Sequence, residues 1–159
     1  MRLFPRTDFP QLDVTRLGIA AIAVTAIFVG AQLVAVARTN PAVRADVAAP
    51  PEIAVLLRHA CYDCHSHETA WPWYSRVAPV SWFIVYDVEE GRRALDFSAW
   101  GTYDRAQRAK LLRESADEIA EGEMAPWYYR LVHPDARLTA AEQEAIRAWC
   151  AARSARLGD

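Results

Sequence analysis

Cys61-Tyr62-Asp63-Cys64-His65 sets two thiols three residues apart and an imidazole directly after the second. Residues three apart share one face of a helical turn. Two thiols so placed can each add to one of the two vinyl groups of a haem, and the adjacent His65 can offer its imidazole to the iron. This C-x-x-C-H pattern is that of c-type haem attachment, and it needs both the spacing and the neighbouring histidine. Rival readings use fewer of the five residues. A structural thiol pair or local disulfide leaves His65 idle. A thioredoxin-like redox pair wants a βαβ setting that the chain lacks. Zinc could draw on His59, Cys61, Cys64 and His67, but such sites usually take their second pair from a distant segment. The distant donors, His133 and Cys150, are not grouped.

An iron held by His65 leaves one axial position. Met124, in the stretch Gly122-Glu123-Met124-Ala125-Pro126-Trp127, is one of two methionines, the other being Met1. A thioether in a Pro-containing loop between two helices can wrap the opposite face of the cofactor. His133 is the rival, and an empty position is the third possibility. His59 and His67 lie too close to the proximal side to reach round.

The elements that must position these residues are helices. Pro51 can open one running to about Cys64, with Ile53, Leu56, Leu57 and Ala60 at three- and four-residue spacing. A second spans about Val80 to Leu95, although Val77 to Val88 is also rich in β-formers. A third starts at the cap Asp104 and ends at Gly122. Its apolar side is Leu111, Leu112, Ser115 and Ile119. Its acidic groups Glu114, Asp117, Glu118, Glu121 and Glu123 read first as a solvated face and second as a docking surface for a basic partner. The last helix opens with the capping box Thr139-Ala-Ala-Glu142 and continues to about Arg156.

The chain is 53% hydrophobic, and the excess is concentrated. No charge interrupts Leu17 to Val36. These ~20 residues reach about 30 Å as a helix, the thickness of a bilayer core. The sequence therefore divides into an N-terminal tail (1–16), a membrane anchor (17–36), a tether (37–51) broken by Pro41, Pro50 and Pro51, and one compact domain (52–159). Ala35-Val36-Ala37 would suit a signal peptidase, but the apolar run exceeds the ~7–15 residues of a signal's central region, so a retained anchor is expected. Arg2, Arg6 and Arg16 against Arg38 and Arg44 bias the N-terminus to the cytoplasm. With 18 basic against 20 acidic residues, the net charge of −2 argues against a nucleic-acid partner. Three cysteines are too few for a disulfide scaffold. The fold class expected is all-α: one transmembrane helix and one small helical domain around a cofactor.

Several stretches carry a family resemblance. Cys61-Tyr-Asp-Cys-His-Ser-His-Glu-Thr-Ala-Trp-Pro-Trp-Tyr-Ser75, Val77-Ala-Pro-Val-Ser-Trp82, Gly91-Arg92, Phe97-Ser-Ala-Trp100 and His133-Pro134 together resemble the haem-binding domain family of bacterial cytochrome c-like proteins. The likeness runs from about Asn40 to Trp149. It implies one covalent haem c and an N-terminal membrane segment. It also implies a cytochrome c-like topology in which the first and last helices cross beside the haem. Two places depart from it: Met124-Ala125-Pro126 stands where Met-Pro-Pro is usual, and Asn40-Pro41-Ala42 where Asn-Pro-Pro is common. Cys150 is outside the pattern and reads as a small buried residue. The aromatic loop Trp71-Pro72-Trp73-Tyr74 is expected to cover part of the porphyrin.

The function expected is that of a membrane-anchored c-type cytochrome, single-pass in the bacterial inner membrane. Its haem c is held by Cys61 and Cys64, with His65 and Met124 as metal ligands. It would pass single electrons in the periplasm between redox partner proteins, as a carrier rather than an enzyme. The alternative is a haem sensor or peroxidase-like enzyme with an open iron position, served by Glu123 or His133 as proton-handling group.

Overall fold

The computed structural model describes residues 13–158. Most of the N-terminal tail, with Arg2 and Arg6, lies outside the described residues. Among the described residues seven α-helices follow in order: α1 Val14–Ala31, α2 Pro51–Ala60, α3 Tyr62–His65, α4 Val80–Ala94, α5 Arg105–Glu121, α6 Trp127–Val132 and α7 Ala140–Gly158. Three short 3-10 turns join them, at Trp73–Arg76, Trp100–Thr102 and Pro134–Ala136. Among the described residues there is no strand beyond an isolated bridge between Ala45 and Ala99. The all-α expectation holds, and the β-rich stretch after Val77 is helical.

Local chemistry sets the ends of the helices. Asp104 accepts the Gln107 N–H, and the Gln107 side chain returns the bond to the Asp104 backbone. The helix stops at Gly122, whose φ of 80° suits a residue without Cβ. Thr139 and Glu142 make the same reciprocal cap before α7. Two boundaries differ from expectation. The helix opened by Pro51 breaks at Cys61, whose φ, ψ of −126°, −38° leave the helix, and α3 restarts as a single turn. The apolar helix runs Val14–Ala31 rather than 17–36. Asp13 caps it by accepting from the Thr15 and Arg16 N–H groups, and Gln32 closes it with a side-chain bond to the Phe28 carbonyl. Hydropathy marks where charge is missing, not where caps fall. The helix is uncharged from Leu17 on, none of its residues is buried, and at ~1.5 Å per residue it is long enough to cross a membrane with little to spare.

The expected tether is a docked strap. Arg38 donates to the Ser75 carbonyl (3.2 Å) and the Asn40 amide to the Thr69 carbonyl (2.9 Å). The Arg44 and Ala45 N–H groups both donate to the Ser98 carbonyl, and Val47 enters the core. Prolines forbid a helix here but leave extended backbone free to bond along a surface.

In the core, Leu57 and Ile53 of α2 share one cluster with Tyr62, Phe97 and Trp100, and with Leu112, Ile119, Ile146 and Cys150. The last four belong to α5 and α7, which pack along one another, and α2 packs on α7. The α3 turn lies on α4. A cleft remains between these pairs.

Candidate functional site: a cleft around the C-x-x-C-H turn

The break at Cys61 turns its carbonyl into an acceptor for both the Cys64 and His65 N–H groups (3.2 and 2.9 Å). The three motif side chains are thereby gathered on one short turn. His65 is fixed from behind: its Nδ1 lies 2.8 Å from the Gly91 carbonyl and 3.0 Å from the Leu95 carbonyl, at the end of α4. Two acceptors on one nitrogen require the proton to be there, which leaves a lone pair on Nε2. Burial lowers the His65 pKa, so the ring is a neutral imidazole, the form that ligates metal. The Phe97 ring stands edge-on to it at 6.4 Å.

This geometry requires α4 to touch α3. A Cβ at Gly91 would fall 2.6 Å from the Cys64 carbonyl oxygen, so glycine is the residue that fits. Arg92, next along, binds the surroundings together. Its Nε donates to the Ser66 carbonyl (2.7 Å), Nη1 to the Thr39 carbonyl (2.9 Å), and Nη2 to Asn40 Oδ1 (3.2 Å) and Thr69 Oγ1 (2.9 Å). One guanidinium thus joins α4, the loop after the motif and the strap.

In front of His65 the cleft has two lobes, about 270 and about 260 Å3. Ala60, Cys61, His65, Ala94 and Met124 line both, so the lobes are continuous. The first is apolar, walled by Leu57, Phe97, Trp100, Leu111, Ile146 and Trp149. Cys64 opens on the second, with Tyr128 and Tyr129. Together the lobes fall within the ~300–1,000 Å3 usual for sites that enclose a small ligand. The charged residues at the walls are all acidic: Glu114 and Glu118 at the first lobe, Asp63, Asp87 and Glu90 at the second. Tyr129 donates to Asp63 (2.7 Å) and Tyr128 to Asp87 (3.1 Å). Burial raises the Asp87 pKa.

The cleft brings together Cys61, Cys64, His65 and Met124, which are some sixty positions apart in the chain. Other sequence candidates go elsewhere. His133 lines neither lobe; it bonds Tyr74 Oη through Nε2 (2.9 Å) and stacks on Tyr129 at 4.0 Å. Glu123 is exposed and lines neither lobe. His67 is engaged by Asp96 (2.7 Å) and the Ala42 carbonyl. Among the described residues no cluster of three or more His, Cys, Asp or Glu is placed to hold a metal, so the zinc set of His59, Cys61, Cys64 and His67 does not assemble. Burial pushes the Cys61 and Cys64 thiols up to about 12. They are thiols rather than thiolates at neutral pH, unlike an activated redox pair. Cys150 is buried at the wall of the first lobe, as expected of a small apolar residue.

The aromatic loop is a correction. Trp71 donates to Asn40, Trp73 is exposed, Tyr74 bonds His133, and none of them lines the cleft. Its aromatic run could equally serve a surface, and spacing alone does not say which. Sequence reasoning also missed Tyr128, Tyr129, Asp87 and the carbonyls that hold His65. Backbone acceptors leave no signature in a sequence. The contiguous Trp127-Tyr128-Tyr129 was the available signal for α6.

A helical domain that closes an apolar cleft around a neutral imidazole with a free ring nitrogen is built to hold an apolar prosthetic group. Residues 26–152 match the haem-binding domain family. The chain belongs to that family and is a haem protein. No curated protein matches it, and no solved structure does.

Proposed function

We propose that the protein is a membrane-anchored c-type cytochrome that carries single electrons in the periplasm. It holds one haem covalently through Cys61 and Cys64, with His65 and Met124 as the axial pair. The observation that carries this reading is the shared lining of the cleft. His65, with its proton held on Nδ1, and Met124, from a loop far along the chain, border both lobes of one cavity, beside both motif thiols. A haem held there supplies one-electron chemistry at its iron. The chain's own residues set the conditions: the Gly91 and Leu95 carbonyls orient His65 and raise its basicity, and the apolar wall excludes water. The wall's carboxylates would favour the more positive form of a group held there and would pull its potential down.

With His65 and Met124 both holding the iron, no position would be left for substrate, which suits a carrier. The α1 helix would anchor the domain in the bacterial inner membrane. Because c-type haem is installed outside the cytoplasm in the family the chain resembles, the domain would face the periplasm, in agreement with the arginine bias. Its partners would be redox proteins held at high local concentration by the same membrane. Met124→Ala tests the ligand set. The sulfur-to-iron absorption band should vanish, and the reduced protein should gain rapid binding of carbon monoxide. An unchanged spectrum overturns the assignment. Rapid binding by the unmodified protein would instead indicate an open iron site, as a sensor or peroxidase needs.

A further inference from the structure

We propose that the apolar face built from the Trp73–Arg76 turn, α4 and α6 lies in the interfacial layer of the same bilayer that α1 enters, seating the haem domain on the membrane. The inference rests on the reading of α1 as a membrane span.

The first support is the absence of slack. Gln32, the residue that closes α1, donates from Nε2 to the Ala78 carbonyl (3.1 Å) and accepts the Ala78 N–H on Oε1 (3.0 Å). Trp82 Nε1 donates to the Val34 carbonyl (3.2 Å), and Arg38 holds the Ser75 carbonyl. The end of α1 is therefore clamped between the Trp73–Arg76 turn and α4. A domain fixed so close to a span has no tether on which to float away.

The second support is what surrounds the clamp. Trp73, Val80, Phe83, Tyr86, Trp127 and Leu131 are large apolar side chains left exposed, Trp73 at 77% and Trp127 at 67%. The elements that carry them adjoin: Phe83 of α4 packs on Tyr128 of α6 (5.3 Å), and Tyr74 bonds His133 just past α6. Soluble monomers seldom expose so continuous a patch. Trp and Tyr are the residues that settle at the headgroup level, with an apolar body and a polar tip. Charge is distributed to match. The half of α4 next to the clamp, Val80 to Tyr86, has no charged residue; Asp87, Glu89, Glu90, Arg92 and Arg93 all fall in the other half. The cations Arg38 and Arg76 flank the exit of α1 and are exposed, placed for lipid phosphates. Tyr128 and Asp87, on these same two helices, line the second lobe of the cleft, so a seated face puts that lobe at the membrane surface. A soluble protein partner would have to compete with lipid already in place.

The test uses the full-length haem-loaded protein in vesicles of phosphatidylcholine with an anionic lipid. Single cysteines bearing a nitroxide are introduced by Trp127→Cys, Phe83→Cys, Glu144→Cys and Ile22→Cys, all at exposed positions. Cys150 is buried and adds little background labelling. Accessibility to oxygen is compared with that to a water-soluble nickel complex. Labels at 127 and 83 should show an oxygen-to-nickel ratio several-fold above that at 144, at the ~5–10 Å depth of an interfacial helix. If 22 reports lipid while 83 and 127 are as aqueous as 144, this proposal fails and the anchor stands. If 22 is aqueous too, the anchor reading fails and takes the proposal with it.

Discussion

Replacing Gly91 with alanine measures how tightly the back of the cleft is built. The added Cβ would stand 2.6 Å from the Cys64 carbonyl oxygen and 3.0 Å from the Cys64 carbonyl carbon and Cβ. These are main-chain atoms and the root of a side chain that the haem would tether, so nothing flexible can yield. Relief requires α4 to withdraw from α3 by several tenths of an ångström. That stretches the bond between His65 Nδ1 and the Gly91 carbonyl, now 2.8 Å. Overpacking of this kind costs about 1–3 kcal/mol, and a backbone clash belongs at the upper end. Alanine inside a helix returns about 1 kcal/mol over glycine. The net loss is then about 2 kcal/mol. For a chain of this size, roughly 2–4 °C per kcal/mol gives a fall in Tm of about 4–8 °C. The assay is a thermal melt of the haem-loaded protein by circular dichroism, with the visible spectrum recorded beside it. With His65 as the proposed iron ligand, the spectrum should shift too, because the hydrogen bond behind that imidazole would tune the iron. Gly158→Ala is the control, since no atom lies within 4 Å of its added Cβ, and its Tm should hold or rise slightly. A Gly91→Ala melt equal to or above the parent's, with an unshifted spectrum, would refute the close approach of α4 to the motif.

Three further predictions follow from the site. Arg92→Leu removes four hydrogen bonds, two of them exposed to solvent, and orphans the carbonyl of the buried Ser66; at about 1–3 kcal/mol for that one buried group, it should lower the urea midpoint and expose the strap to protease. Asp87 has a raised pKa when folded, so its ionisation penalises the folded state above that pKa, and the penalty is gone below the unfolded value of 3.8. Asp87→Asn should therefore raise Tm at pH 8, with the gain shrinking to nothing near pH 3.5, as melts across that range would record. His133→Ala loses the stacking on Tyr129, worth about 0.5–1.5 kcal/mol, and should lower stability modestly while leaving the haem spectrum and carbon monoxide behaviour unchanged, because His133 lines neither lobe.

Much of the fold was legible because its signals are local. Asp104 with Gln107, Thr139 with Glu142, Gly122 and Pro51 each mark a helix end by their own backbone chemistry. The motif and Met124 stood out by residue type, and the cleft brings them to one cavity. What could not be read depends on backbone groups and on distant partners. Nothing near Cys61 announces a break in the helix. The tether looked loose because Pro and Ala offer no pattern, yet its bonds go to Ser75, Thr69, Arg92 and Ser98, reached only through the fold. Gln32 lies uncharged inside the apolar run, where nothing in the sequence sets it apart, and it is the clamp between the helix and the domain. Trp71 to Tyr74 looked like a lid for the cofactor, and the structure turns it to the surface and to His133.

The proposed function stands on a haem bonded to Cys61 and Cys64. It is tested most directly by the intact mass of the full-length protein, matured with haem and then denatured and extracted with acidified acetone. The mass of one haem should survive on the parent chain, and be absent once Cys61→Ala and Cys64→Ala are combined. A parent chain that emerges at its bare polypeptide mass, with the haem in the solvent, would contradict it.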